Sequence, residues 1–228
     1  MSTHAARAAT LEAATTAAED SPSATETGLA IAEPGSKRIA VLGAGWAGLY
    51  AAKTLLALGH TVSVLEQREG LGGVWNYTPD PSYSTCSNFT EATSSQHVTQ
   101  AYDFHYDQIP DMSTFPTHMD VLKYLQAYAA HFKVAERIEF NTEVCGLRRD
   151  GEEWVVDLRN VSGGGRGVGS PEITRHFDRV VISTGILSTP HIPPTLRSSH
   201  TVHSHDIRVL GQLKELVAGK RVLVYGGG

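Results

Sequence analysis

From Lys37 onward, apolar residues arrive in short runs separated by polar turns. Arg38-Ile-Ala-Val-Leu42 is a continuous run of strand length, spaced glycines follow it, and Ala47 to Leu58 has helical character until Gly59 ends it. Thr61-Val-Ser-Val-Leu65 is a second run of the buried-strand type. Strand, helix and strand in this order form a βαβ unit, the opening of a doubly wound parallel sheet in an α/β fold. Upstream, residues 1–36 consist mostly of Ala, Thr, Ser and Glu, with hardly an aliphatic side chain before Leu29 and Ile31. So little apolar surface cannot offset chain entropy, and the segment is expected to be a disordered tail.

Further along, residues 79–113 are polar and aromatic without a clear period, which suggests a functional loop layer over a site. Thr117 is placed to cap a helix that carries Leu122, Leu125, Ala129 and Phe132 on one face. Ile138 to Arg148 and Trp154 to Arg159 flank Asp150-Gly151 and predict a β-hairpin inserted in the sheet domain. The glycine-rich stretch 162–169 has no Gly-Lys-Ser/Thr and predicts only a loop. Phe177 to Ser183 is another apolar strand, ending at Thr184-Gly185, and Pro190, Pro193 and Pro194 mark an extended exit. Arg221-Val-Leu-Val-Tyr225 predicts a last strand before Gly226-Gly227-Gly228.

Composition narrows the function classes. Of 228 residues, 19 are Lys or Arg and 24 are Asp or Glu, a net charge of -5 that is not suited to a phosphate backbone, so no nucleic-acid partner is expected. Cys86 and Cys145 have neither a zinc spacing nor the number for a disulfide framework, pointing to an intracellular, cytoplasmic protein. Neither has a basic neighbour in sequence, and both are expected to be inert. The most apolar stretch, Ile39 to Gly59, is broken by Gly43, Gly45, Gly48 and Lys53, a pattern of strand, turn and helix rather than of a membrane span. The amino-terminal stretch holds Arg7 against Glu12, Glu19, Asp20, Glu26 and Glu33, which is unlike a transit peptide.

The chemistry concentrates in the glycines. Gly43-Ala44-Gly45-Trp46-Ala47-Gly48 has the G-x-G-x-x-G spacing between a strand and a helix. There the first glycine permits a tight turn, the second admits a pyrophosphate against the backbone, and the third lets helix and strand pack closely. The helix N-terminus offers N–H groups and a positive dipole end to phosphates. Glu66 ends the next strand, where a carboxylate can accept both ribose hydroxyls of an adenosine. A carboxylate there repels a 2'-phosphate, so this first site is built for FAD or NAD rather than NADPH. Gly70-Leu-Gly72-Gly73-Val74-Trp75 follows directly, with paired glycines that let main chain run beside a flat ligand and an indole able to shield it.

Together with these segments, Thr93-Ser-Ser95, Tyr102-Asp-Phe104, Phe115-Pro-Thr-His118, Tyr124-Leu-Gln-Ala-Tyr128-Ala-Ala-His-Phe132 and Val181-Ile-Ser-Thr184-Gly185 make a specific combination. From about Lys37 to Gly228 the chain resembles the flavin-containing monooxygenases, the class B flavoprotein monooxygenases. The resemblance implies a Rossmann-like FAD-binding domain over residues 37–219, of the kind found in flavoproteins with two dinucleotide-binding domains. It also implies that residues 220–228 open an NADPH-binding domain, cut off within its second glycine motif. The implied cofactors are FAD and NADPH, and the implied partners are O2 and a small-molecule amine or sulfide. In that chemistry NADPH reduces the flavin and a C4a-hydroperoxyflavin oxygenates a soft nitrogen or sulfur nucleophile. The implied cofactor-binding residues are Gly43, Ala44, Gly45, Trp46, Ala47, Gly48, Glu66, Gly73, Val74, Trp75, Thr93, Ser94, Thr184 and Gly185. No general acid or base and no metal ligand is implied.

The sequence departs from the family at two places besides its end. With the histidine of F-x-G-x-x-x-H-x-x-x-F/Y on His203, the other fixed positions hold Arg197, Ser199 and Ile207, and only the flanking Ser204, Asp206 and Arg208 match. Thr93, Ser94 and Ser95 stand where an Asn is common, so a hydroxyl takes the place of an amide. A Baeyer-Villiger or N-hydroxylating relative, or a non-catalytic flavin-binding fragment, are the alternative readings. His203 and His205 would share a face of an extended strand, His200 the other. The chain alone is expected to expose an unpaired sheet edge and to be poorly soluble.

Overall fold

The computed structural model describes residues 35–80, 83, 85–162, 173–186 and 189–226. The expected tail, except for its last two residues, and the glycine-rich loop beyond Ser162 lie outside them. Strand β1 (Arg38–Leu42), helix α1 (Trp46–Ala57) and strand β2 (Thr61–Leu65) form the βαβ unit as expected. They are followed by α2 (His118–His131), β3 (Ile138–Glu139), β4 (Thr142–Asp150), β5 (Glu153–Asn160), β6 (Ile173–Phe177), β7 (Arg179–Ile182) and α3 (Leu210–Val217).

Two sheets result. A parallel sheet has the order β3-β2-β1-β7, and an antiparallel sheet the order β4-β5-β6. Because side chains alternate across a strand, β1 packs both ways. Val41 faces a core shared with Leu49 and Ala52 of α1 and with Val121, Tyr124, Leu125 and Tyr128 of α2. Ala40 and Leu42 face Val156, Leu158 and Phe177 of the antiparallel sheet. Burial on both faces explains the uninterrupted apolar run at residues 39–42, each fully buried Val or Leu stabilising by about 1.5–3 kcal/mol.

Helix α2 begins where expected, at a reciprocal cap: Asp120 N donates to Thr117 Oγ1 at 3.3 Å, and Thr117 N donates to Asp120 Oδ2 at 2.9 Å. The described residues of 79–113 are loop apart from a turn of 3-10 helix at Tyr106–Gln108, and Tyr124 Oη pins them by accepting from Ala101 N and donating to Phe104 O, both at 2.7 Å. Among the described residues no helix is long and apolar enough to cross a membrane.

Four local expectations are corrected. Ile138-Glu139 pairs with β2 in the parallel sheet, so the hairpin starts only at Thr142 and gains β6 as a third strand. The single strand expected over Phe177 to Ser183 is split at Asp178, because Phe177 pairs with Trp154 while residues 179–182 pair with β1. Arg221–Tyr225 is irregular and exposed: among the described residues no strand pairs with it, and an apolar run without a partner cannot form a ladder. His203 and His205 are not on an extended strand but bracket the start of a 3-10 turn at Ser204–Asp206, where His203 Nδ1 accepts from His205 N at 3.0 Å.

Candidate dinucleotide site

The carboxyl ends of β2, β1 and β7 lie side by side, and the chain leaves β1 toward β2 on one flank while β7 occupies the other. Such a switch of direction opens a crevice beyond the strand ends. The first glycine turn fills it. Gly43 has φ +101°, its N–H donates to Leu65 O at 2.8 Å, and a Cβ there would lie 2.7 Å from Ser183 O. A Cβ on Gly48 would lie 1.9 Å from Gly43 O, so the helix can follow the turn this closely only without a side chain. Ala44 is fully buried beneath the turn, whereas Ala47 is exposed.

Gly45 is the N-cap of α1, no side chain caps it, and the first helical turn carries no acid. The amides of that turn and the positive end of the dipole are thus presented to an anion. Trp46 leans away from this end onto Tyr124 and Tyr50, with ring centroids 5.7 and 6.0 Å apart. It is the first ring of an aromatic layer that continues through Tyr124 and Tyr128.

Glu66 is buried at the end of β2. One carboxylate oxygen accepts from Ala44 N at 2.8 Å and the other from Arg68 N at 2.9 Å. The carboxylate is therefore held against the first glycine turn, as the spacing requires. The second glycine turn closes over the first. Gly72 (φ +114°) donates to Ala44 O at 2.9 Å, and Gly73–Trp75 form a 3-10 turn. A Cβ on Gly73 would lie 3.0 Å from the Gly45 Cα, so the two fingerprints meet main chain to main chain.

The other candidates lie around this cradle. Val74 is half exposed and its carbonyl accepts from Cys86 N at 2.8 Å, while Trp75 packs partly against the core. Thr184 and Gly185 follow β7, exposed, with the Thr184 Cα beside Gly43; Gly185 has φ +83° and open space around it. Thr93 and Ser94 sit on a separate loop whose backbone anchors, Ala92 N to Pro116 O and Gln96 N to Thr114 O, run to the entry of α2 rather than to the glycine turns.

Two arginines carry the architecture without having been singled out for it. Arg68 donates to Gly73 O at 3.1 Å and to Asn76 O at 2.7 Å, fixing the second glycine turn, and its guanidinium lies 5.3 Å from the Tyr83 ring centroid. Burial lowers its pKa from the usual arginine value, opposed by the charge of Glu66. Arg208, noted only as flanking His203, is buried against the loop at 83–88. Between them lies Cys86, so the absence of basic neighbours in sequence does not hold in space. Burial nevertheless raises the thiol pKa, outweighing both guanidinium groups.

The donor set suits a dinucleotide with a pyrophosphate. The floor where Gly45 meets Gly73 has no side chains, the helix end above it is uncapped, and Glu66 supplies a carboxylate at the next strand end.

Comparison with known proteins agrees. The sequence model of the family described as flavin-binding monooxygenase-like matches residues 36–228. Flavin-containing monooxygenase FMO GS-OX5 of Arabidopsis thaliana is 32% identical over 205 residues, covering 80% of this chain and 43% of that protein. Among solved structures, S-allyl-L-cysteine S-oxygenase from Allium sativum superposes with a TM-score of 0.61 at 27% identity, over 70% of this chain and 38% of its own. The closed form of cyclohexanone monooxygenase shares the fold with a TM-score of 0.52 at 24% identity, over 69% and 27% of the two chains. The chain spans less than half the length of these proteins. With its two linked glycine turns and the carboxylate at the end of β2, the chain belongs to the flavin-binding monooxygenase-like family.

Proposed function

We propose that residues 37–219 form the FAD-binding domain of an FAD- and NADPH-dependent monooxygenase that transfers one oxygen atom from O2 to a soft nitrogen or sulfur nucleophile. On this reading residues 220–228 lead into the NADPH-binding domain, and the setting is cytoplasmic. The observation that carries the reading is the meeting of the two glycine turns at Gly45 and Gly73 beside the buried carboxylate of Glu66.

When bound, the flavin supplies hydride acceptance and oxygen activation. The protein holds it. The first turn of α1 carries the pyrophosphate, Glu66 accepts the ribose hydroxyls, and Thr184-Gly185 provides exposed main chain on the far side of Gly43. Val74 and Trp75 wall the flavin end, and Thr93 or Ser94 offers a hydroxyl in place of the family's amide. The likeness to an S-oxygenase above favours a sulfide over an amine as substrate.

Product analysis tests this. The full-length enzyme, supplied with FAD, NADPH and O2, is expected to convert sulfides to S-oxides, with amines second. An ester from a ketone would reassign it to Baeyer-Villiger chemistry, and NADPH consumption without any oxygenated product would contradict the proposal.

A further inference from the structure

Arg208 is only 5% exposed although its side chain is permanently charged. Its Nη1 donates to Thr85 O at 2.9 Å and to Thr85 Oγ1 at 3.0 Å, and its Nη2 donates to Tyr83 O at 2.8 Å and to His205 Nε2 at 3.0 Å. Because a guanidinium only donates, His205 Nε2 is the acceptor, and its ring proton sits on Nδ1, 3.2 Å from Asp206 Oδ1. Among the described residues these partners are carbonyls, a hydroxyl and an imidazole, and none is a carboxylate. The backbone on both sides is tied to the same loop: Asn88 N donates to Arg208 O at 2.9 Å and Ser87 Oγ to Ile207 O at 2.6 Å.

Burying a cation without an anionic partner is costly, and an apolar side chain of equal volume would stabilise as well. What a planar fork adds is direction: it grips Tyr83 and Thr85 together, 123–125 residues away in sequence. The gripped loop continues directly to the site, since Cys86 N donates to Val74 O within the Gly73–Trp75 turn. Arg68 holds the other side of that turn at Gly73 O and Asn76 O.

We propose that Arg208 is a positioning residue for the flavin: through Thr85 and Cys86 it sets the Gly73–Trp75 turn, whose Val74 and Trp75 are assigned above to the flavin end of the cofactor. This rests on the FAD reading above. The hydrogen bonds from Arg208 reach the turn at Val74, and none of them goes directly to Glu66 or to an amide of the first turn of α1, which the turn meets only through Gly73 at Gly45. The two halves of the cofactor are therefore expected to respond differently to its loss.

The test titrates the full chain and its Arg208→Met, Arg208→Lys and Thr85→Val variants with FAD and, separately, with ADP, which has the adenosine and pyrophosphate but no flavin. Circular dichroism and thermal melting establish that each variant is folded. Arg208→Met is expected to weaken FAD binding by about tenfold or more with ADP binding within about twofold, Arg208→Lys to recover part of the loss, and the bound flavin's visible spectrum to shift toward that of free flavin. Thr85→Val keeps the charge and removes one acceptor, so it makes the same comparison should Arg208→Met not fold. Equal losses for FAD and ADP in a folded variant, or no loss for either, would overturn the assignment while leaving the FAD reading intact. Failure of the folded wild-type chain to bind FAD would overturn that reading, and the assignment with it.

Discussion

At Gly48 an added methyl carbon would lie 1.9 Å from Gly43 O, and neither backbone can move without dragging β1 or α1 with it. Gly48→Ala is expected to destabilise the fold by about 1–3 kcal/mol, as overpacking does, and to abolish FAD retention, both readable from a melting curve and a flavin titration. Buried phenols give a second expectation. Burial raises the pKa of Tyr106 to about 12, and those of Tyr124 and Tyr128 are raised by the same cause. A phenol whose folded pKa exceeds its unfolded value of about 10 favours folding fully below pH 10. That contribution is lost as pH rises from about 10 through about 12. Of the eight tyrosines in the chain, these three are expected to ionise only with unfolding, seen as a late, cooperative step in the ultraviolet absorbance on alkaline titration. The glycines and Glu66 were legible in the sequence because their spacing is itself the geometry. Arg68 and Arg208 were not, since their partners are main-chain carbonyls, one set more than 120 residues distant, and a carbonyl leaves no mark on a sequence.

Elements whose burial pattern is complete within their own run were read correctly. The first strand, helix and second strand appear within a residue or two of expectation, and Thr117 caps α2. Thr117→Ala removes the acceptor for Asp120 N and is expected to cost about 1 kcal/mol, measurable by denaturant unfolding. Tyr124→Phe should cost more, about 1–3 kcal/mol, because it leaves buried Ala101 N and Phe104 O unpaired. Elements defined by their partners were misread. Phe177 and Val180 are both apolar, but they pair with different sheets, and only topology divides them at Asp178. Arg221–Tyr225 has the composition of a strand and no neighbour to pair with among the described residues.

For the molecule as a whole, β7 is an edge of the parallel sheet among the described residues, and Ile182 within it and Ile186 after it are largely exposed, as are Leu223, Val224 and Tyr225. An edge strand with apolar neighbours is a template for association. The 228-residue chain is expected to self-associate with rising concentration, and light scattering coupled to gel filtration would show it. A monodisperse monomer up to high concentration would contradict this expectation. The antiparallel sheet and the helices cover the two faces of β1, which leaves its carboxyl end at the glycine turns open to a ligand.

The strand ends of the parallel sheet are expected to bind FAD through Glu66 and the paired glycine turns. The most direct measurement is a fluorescence titration of the folded chain with FAD, run beside Glu66→Ala. One FAD per chain is expected, with the flavin emission quenched on binding, and Glu66→Ala should weaken binding by about tenfold or more, the scale of lost hydrogen bonds to a charged group. A folded chain that leaves FAD emission unchanged, or a Glu66→Ala variant that binds FAD as tightly as the wild type, would show that this site does not hold FAD in this way.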